Sequence, residues 1–238
     1  MILEPQFCYD YPMKTIVITG GSDGLGKALA ENLSSGNRVF VLARNEGVLK
    51  ELSNTSGCEY IVCDVRKAEE VQHAFAKIYE QTPTGIDVLI NNAGVIANGD
   101  LTETSYEDIT NVIETNTLGS IYVAKEALIL MKQAKKGLVI NVISQSGLNA
   151  RADRSIYNAS KWALTGFTKA LQQEGAAYGV RVTGFYPGTI KTKLFEKAGI
   201  EMKGPALELQ QIVDGINYLI STDDSVLVPE FGIKHIEG

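Results

Sequence analysis

The stretch TIVITGGSDGLGKALA, residues 15–30, decides the fold. Five apolar or β-branched residues run into a glycine-rich turn, and the turn runs into a helix-period segment, so the sequence reads strand, turn, helix. Glycines at 20, 24 and 26 allow tight backbone geometry, close approach to a pyrophosphate and close helix–strand packing. The helix N-terminus behind them offers free N–H groups and the positive end of a dipole, with the Ser22 hydroxyl and the Leu25 amide within the same turn. Such a turn can also serve packing alone, and the Gly20-to-Gly24 gap is wider than in G-x-G-x-x-G. Its place at the first strand–helix junction favours a nucleotide.

Outward from this unit the same alternation continues. RVFVLA (38–43), YIVC (60–63), DVLI (87–90), GLVINVI (137–143) and RVTGFY (181–186) read as strands, and helix-period segments begin near Gly24, Glu46, Lys67, Ser105 and Tyr157. Unbroken apolar strands alternating with helices predict a doubly wound, parallel α/β sheet of the Rossmann type, covered on both faces in three αβα layers. No linker or repeat divides residues 13–238, which read as one domain. Residues 1–12 fit no element and are expected to form a disordered, dispensable extension. The long irregular stretches 92–104, 144–156 and 187–206 all follow strands, and in such sheets these converge on one crevice.

The end of the second strand decides the ribose. A site for NAD(H) usually places Asp or Glu there, whereas this chain has Ala43 and then Arg44, which can grip a 2′-phosphate. NADP(H) is expected over NAD(H). Two features compete with that reading: Arg44 as a solvated strand-end charge, and Asp23 as a negative charge in the glycine loop.

Charge and composition exclude other classes. The formal net charge is −6 and no basic cluster exceeds Lys135–Lys136, so neither nucleic acid nor an acidic membrane is an expected partner. Glu4 and Pro5 stand where a signal peptide needs basic and then apolar residues, and no segment reaches the length of a membrane span, which predicts a cytoplasmic protein. Cys8, Cys58 and Cys63 lack metal-ligand spacing, and His73 and His235 have no ligand pattern around them, so no metal is expected.

YNASK, residues 157–161, sets a phenol and an ammonium four residues apart, on one face if helical. Reducing a carbonyl requires a proton at oxygen as hydride reaches carbon. A tyrosine matched to neutral pH needs about 4 kcal/mol of differential stabilisation of its phenolate. Lys161, one turn on, is a cation placed to supply it. Ser144 ends the strand GLVINVI, where its hydroxyl can hydrogen-bond the reacting oxygen. No G-x-S-x-G elbow is present, which disfavours a Ser–His–Asp hydrolase.

With TGGSDGLG (19–26), NNAG (91–94), Asn116, Ser144, YNASK (157–161) and PGTIKT (187–192) in this order, the sequence resembles the short-chain dehydrogenase/reductase family from about residue 14 to 195. The resemblance implies a seven-stranded sheet and hydride transfer between NAD(P) and a carbonyl or alcohol. It implies that Tyr157 is the acid/base, that Lys161 lowers its pKa and holds the cofactor ribose, that Ser144 orients the substrate oxygen, and that Asn116 anchors a water relay. It places Asp64 and Val65 at the adenine, Asn92, Ala93 and Gly94 along the cofactor, and Pro187, Gly188 and Thr192 beside the nicotinamide. It also implies homodimers or homotetramers. The chain ends VPEFGIKHIEG instead of in a glycine-rich tail, which puts the tail contacts and a tetramer in question.

The expected function is therefore an NADP(H)-dependent oxidoreductase acting on a small carbonyl or alcohol. Its rivals are a cofactor-binding redox sensor or scaffold of the same fold, an NAD-dependent alcohol dehydrogenase, and epimerase or dehydratase chemistry on nucleotide sugars, for which the chain lacks a longer C-terminal region. Tyr122, Trp162 and Phe167 are read as core or dimer-seam aromatics, and NARADR (149–154) as a solvated loop.

Overall fold

The computed structural model describes residues 13–200 and 204–237. The expectation for residues 1–12 lies outside them. Seven strands form one parallel sheet in the order β3-β2-β1-β4-β5-β6-β7. They are β1 Thr15–Thr19, β2 Arg38–Ala43, β3 Glu59–Val62, β4 Val88–Asn91, β5 Gly137–Val142, β6 Val180–Pro187 and β7 Glu230–Ile233. The helices are α1 Gly24–Leu33, α2 Glu46–Ser56, α3 Ala68–Gln81, α4 Tyr106–Ile113, α5 Ser120–Ala134, α6 Ser155–Ala176, α7 Lys193–Lys197 and α8 Leu209–Ser221.

Side chains alternate between two cores because successive residues of a strand point to opposite faces. Ile16, Ile18, Val39 and Val41 meet α1, α2 and α8 through Leu29, Leu49 and Ile216 on one face. Val17, Phe40, Leu42 and Leu89 meet α3, α5 and α6 through Val71, Ala127 and Leu171 on the other. Burial on both faces is what makes β1 and β2 continuous apolar runs. Cys63 belongs to this second core, where burial pushes its thiol up to about 12, so it is an inert apolar group.

Three elements escaped the pattern reading, the first being the short helix α7 inside the stretch 187–206. Helix α8 begins at a capping box, Glu208 with Gln211, that follows an irregular stretch. Strand β7 is the short, half-exposed EFGI, which pairs with β6 from Gly184↔Glu230 to Pro187↔Ile233. The tail without a glycine-rich end therefore still completes the seventh strand. No helix among the described residues is long and apolar enough to cross a membrane.

Strand order reverses between β1 and β4, and the crevice beyond their carboxyl ends holds the residues that the motifs singled out.

Candidate active site

The glycine turn is built by contact as much as by conformation. Gly20 leaves β1 at φ +70, its N–H donates to Leu42 O at 2.8 Å, and a Cβ there would stand 2.8 Å from Ala93 Cα. Gly26 lets α1 close on β1, because a Cβ would come within 2.4 Å of Gly20 O. Asp23 caps α1, its Oδ1 accepting from Gly24 N at 2.7 Å. The carboxylate that competes with a phosphate in the sequence is thus turned onto the helix start.

At the end of β2, exposed Arg44 borders the same cleft. Its charge reaches Asp64, but Asp64 is already gripped by Arg66, with Nε 3.0 Å from Oδ1 and Nη2 2.6 Å from Oδ2. That two-pronged bond holds the Asp64 carboxyl below its ordinary range. Arg66, which also donates to Asn111 Oδ1 at 3.0 Å, fixes this carboxylate and is a residue that the motif reading missed. Val65 packs under the π-helical turn 114–119, where a Cβ on Gly119 would lie 2.8 Å from its Cγ2.

Thr19, also missed, organises the chain after β4. Its Oγ1 accepts from both Asn92 N and Ala93 N at 3.0 Å, and Asn92 Nδ2 donates to Thr19 O at 3.0 Å. Farther along, Asn116 clasps the chain at Val95: Oδ1 accepts from Val95 N at 2.8 Å and Nδ2 donates to Val95 O at 2.9 Å. A third bond runs from Nδ2 to Ser160 Oγ at 3.0 Å. Asn116 is fully buried within the π-helical turn that interrupts α4 and α5, a local widening found often at functional sites. Its side chain is spent on Val95 and Ser160, which gives it a loop-holding place.

Ser144, Tyr157 and Lys161 meet at the end of β5. Ser144 sits at φ +139, a backbone conformation costly for a residue with a side chain. Its Oγ accepts from Ser146 N at 3.1 Å and lies in hydrogen-bonding reach of the Tyr157 hydroxyl. Lys161 Nζ donates to Val142 O at 3.1 Å and stands 5.7 Å from the centre of the Tyr157 ring. Both side chains are buried. Burial lowers the Lys161 ammonium to about 8 and raises the Tyr157 phenol, the reverse of the direction that the Tyr–Lys spacing predicts. The reason is that the ammonium is itself desolvated and turned to a backbone carbonyl. The Ser144 bond and the charge of Arg154 pull the phenol the other way.

Gly188 N donates to Ile233 O at 2.7 Å, so β7 anchors the loop after Pro187. That loop leans back over the glycine turn: Thr192 caps α7, and its Cβ lies 3.5 Å from where Gly24 would carry one. Together these walls enclose a cleft of about 670 Å³ lined by Gly20, Ser22, Gly24, Leu25, Arg44, Asp64, Val65, Asn92, Ala93, Gly94, Ser144, Tyr157, Lys161, Pro187, Gly188 and Thr192. Of the residues that the motifs singled out, Gly26 and Asn116 stand behind it as supports. Tyr122 and Phe167 pack on the second core, whereas Trp162 is half exposed on α6. NARADR is not wholly solvated, since the Arg154 guanidinium lies over the Phe195 ring of α7, 5.3 Å from its centre.

A parallel sheet with a glycine turn at its first strand–helix junction and a cleft at its switch point defines a Rossmann-like dinucleotide-binding fold. The family model of the short chain dehydrogenases matches residues 14–203, and the chain belongs to that family. An uncharacterized oxidoreductase of Staphylococcus aureus (strain MRSA252) is 31% identical over 227 residues, covering 94% of this chain and 97% of the relative. The human 3-oxoacyl-[acyl-carrier-protein] reductase is 35% identical over 184 residues, covering 76% of this chain and 77% of the relative. The crystal structure of an alcohol dehydrogenase from the archaeon Thermococcus sibiricus, complexed with 5-hydroxy-NADP, superposes with a TM-score of 0.84 at 29% identity, covering 95% of this chain and 98% of that one.

Proposed function

We propose that this oxidoreductase is NADP(H)-dependent and moves a hydride between the nicotinamide and a carbonyl or alcohol carbon. The observation that carries this reading is that Ser144, Tyr157 and Lys161 occupy one end of a cleft whose other end is the glycine turn and Arg44. The residues suit the nucleotide. Gly20 and Gly24 leave the floor free of Cβ atoms, the start of α1 faces the place of a pyrophosphate, and Arg44 offers a fork to a 2′-phosphate. The relative bound to 5-hydroxy-NADP supports the same choice.

The bound nucleotide would supply the hydride. Tyr157 gives or takes the proton at the reacting oxygen, and Ser144, beside that phenol, orients the oxygen with its hydroxyl. Lys161 keeps a cation beside the phenol and would hold the nicotinamide ribose. Arg66 steadies Asp64 against the adenine, and Asn116 steadies the Gly94–Val95 wall. The same reading takes the protein to be a cytoplasmic homo-oligomer. Half-exposed Trp162 on α6 and Leu118 on the π-helical turn are apolar side chains open to a second copy.

The test is NADPH oxidation against a broad panel of ketones and aldehydes, with Tyr157→Phe alongside. The variant should bind NADPH normally and lose turnover by about 10²–10⁴-fold. Near-normal reduction by Tyr157→Phe would assign the proton to another group.

A further inference from the structure

Arg154 breaks several local rules at once. It stands at the N-cap of α6, where a short polar side chain belongs, and makes no side-chain cap bond. Its cation sits at the positive end of a 22-residue helix, where the dipole disfavours it. Arg151 adds a second like charge nearby, and no carboxylate of the described residues lies in ion-pair reach of either arginine. Arg154 is also half-buried, so part of its hydration is lost without an anion in return. A position that violates capping, dipole and pairing together, with the ring of Phe195 as its side-chain contact, marks a functional residue.

Its surroundings say which function. Phe195 lines the cleft, and the Arg154 guanidinium carbon lies over its ring, 5.3 Å from the centre, a contact that leaves the N–H groups available. Arg154 precedes Tyr157 by three residues at the start of α6, and the arginine's charge is felt at the phenol. A substrate whose oxygen reaches Tyr157 shares its cleft with Phe195, and the Arg154 guanidinium lies over that ring.

We propose that Arg154 selects substrates that carry a carboxylate a few bonds from the reacting carbon, which makes the substrate class oxo acids or hydroxy acids. A planar monoanion matches a guanidinium through two parallel N–H···O bonds, and it loses less hydration beside Phe195 than a phosphate dianion does. Arg151, exposed next to it, adds attraction at the rim. This inference rests on the reaction proposed above, which fixes the reacting oxygen at Tyr157.

The experiment measures binding and turnover separately. Calorimetry on the full chain, with and without saturating NADP⁺, compares 4-oxohexanoate and 5-oxohexanoate with their methyl esters. At least one acid should bind about tenfold more tightly than its ester, the size of a charge-assisted pair. Arg154→Gln should bring that ratio close to one, and Arg154→Lys, which keeps the charge but loses the planar fork, should fall between. Equal binding of acids and esters, no detectable binding of either, or a preference that survives Arg154→Gln overturns the inference. NADPH oxidation with the same compounds tests the reaction itself. Acid-selective binding with no reduction of any of them refutes the proposed reaction and leaves the carboxylate site standing, whereas reduction of acids and esters alike does the opposite.

Discussion

Replacing Lys161 by methionine should make the nucleotide-free protein more stable while abolishing its use of the nucleotide. The ammonium is buried, and burial lowers its pKa from 10.5 to about 8. At about 1.36 kcal/mol per pH unit, holding the charged form inside costs about 3 kcal/mol at pH 7. Lys161→Met keeps the stem and removes that cost, but leaves Val142 O without its 3.1 Å donor, worth about 1 kcal/mol. The net gain is about 2 kcal/mol, or about 4–8 °C in melting temperature for a chain of this size. Because the folded pKa lies below the unfolded one, the unfolded chain holds the extra proton between about pH 8 and 10.5. The unmutated protein therefore gains stability as pH rises through that window, and the gap to the variant should shrink to about nothing by pH 10. Urea unfolding at pH 7, 9 and 10 reads it. A variant less stable than the parent at pH 7, or a gap that does not depend on pH, refutes the premise that Lys161 is a charge held in place at the fold's expense.

Arg44→Ala should erase most of a preference for NADPH over NADH that is about tenfold or more in the parent, the range of one charge-assisted contact. Fluorescence titration of both nucleotides decides it, and equal affinities in the unmutated protein would end the assignment to NADP(H). Gly26→Ala puts a Cβ 2.4 Å from Gly20 O and 2.7 Å from Asn92 Nδ2, two groups locked in the turn, and should cost about 1–3 kcal/mol of stability along with nucleotide affinity. Thermal melting tests it, and a variant as stable as the parent would show that the junction of β1 and α1 can give.

The parts of this fold legible in the sequence are those in which burial dictates composition. Strands β1, β2 and β5 are apolar at nearly every position because both of their faces are covered; the glycines at 20 and 26 are visible because a backbone passes close to each, and Gly24 because its φ is +52. Strand β7 has little apolar content to announce it, being a half-exposed edge, and α8 follows a stretch with no periodicity of its own. The π-helical turn around Asn116 shifts hydrogen bonds by one residue, which no side-chain pattern encodes. Within the site, motifs marked the residues that face the cleft, but not those that brace them. Thr19 is an ordinary strand residue by composition, and Arg66 an ordinary charge after a strand; only the fold shows what each holds. The contact of Arg154 with Phe195 joins the start of α6 to α7, far along the chain, so NARADR read as solvent-facing.

The Asn116 clasp imitates a neighbouring strand: one amide side chain supplies Val95 with both the donor and the acceptor that a peptide group would offer. The wall at Gly94 and Val95 is thereby set before any nucleotide arrives. Association at that end then demands no ordering of the chain, whose conformational entropy is already spent in folding. An incoming nucleotide meets a finished surface there, so encounter rates should follow diffusion and charge rather than a slow closing step, and the lifetime of the complex becomes the variable through which affinity is tuned.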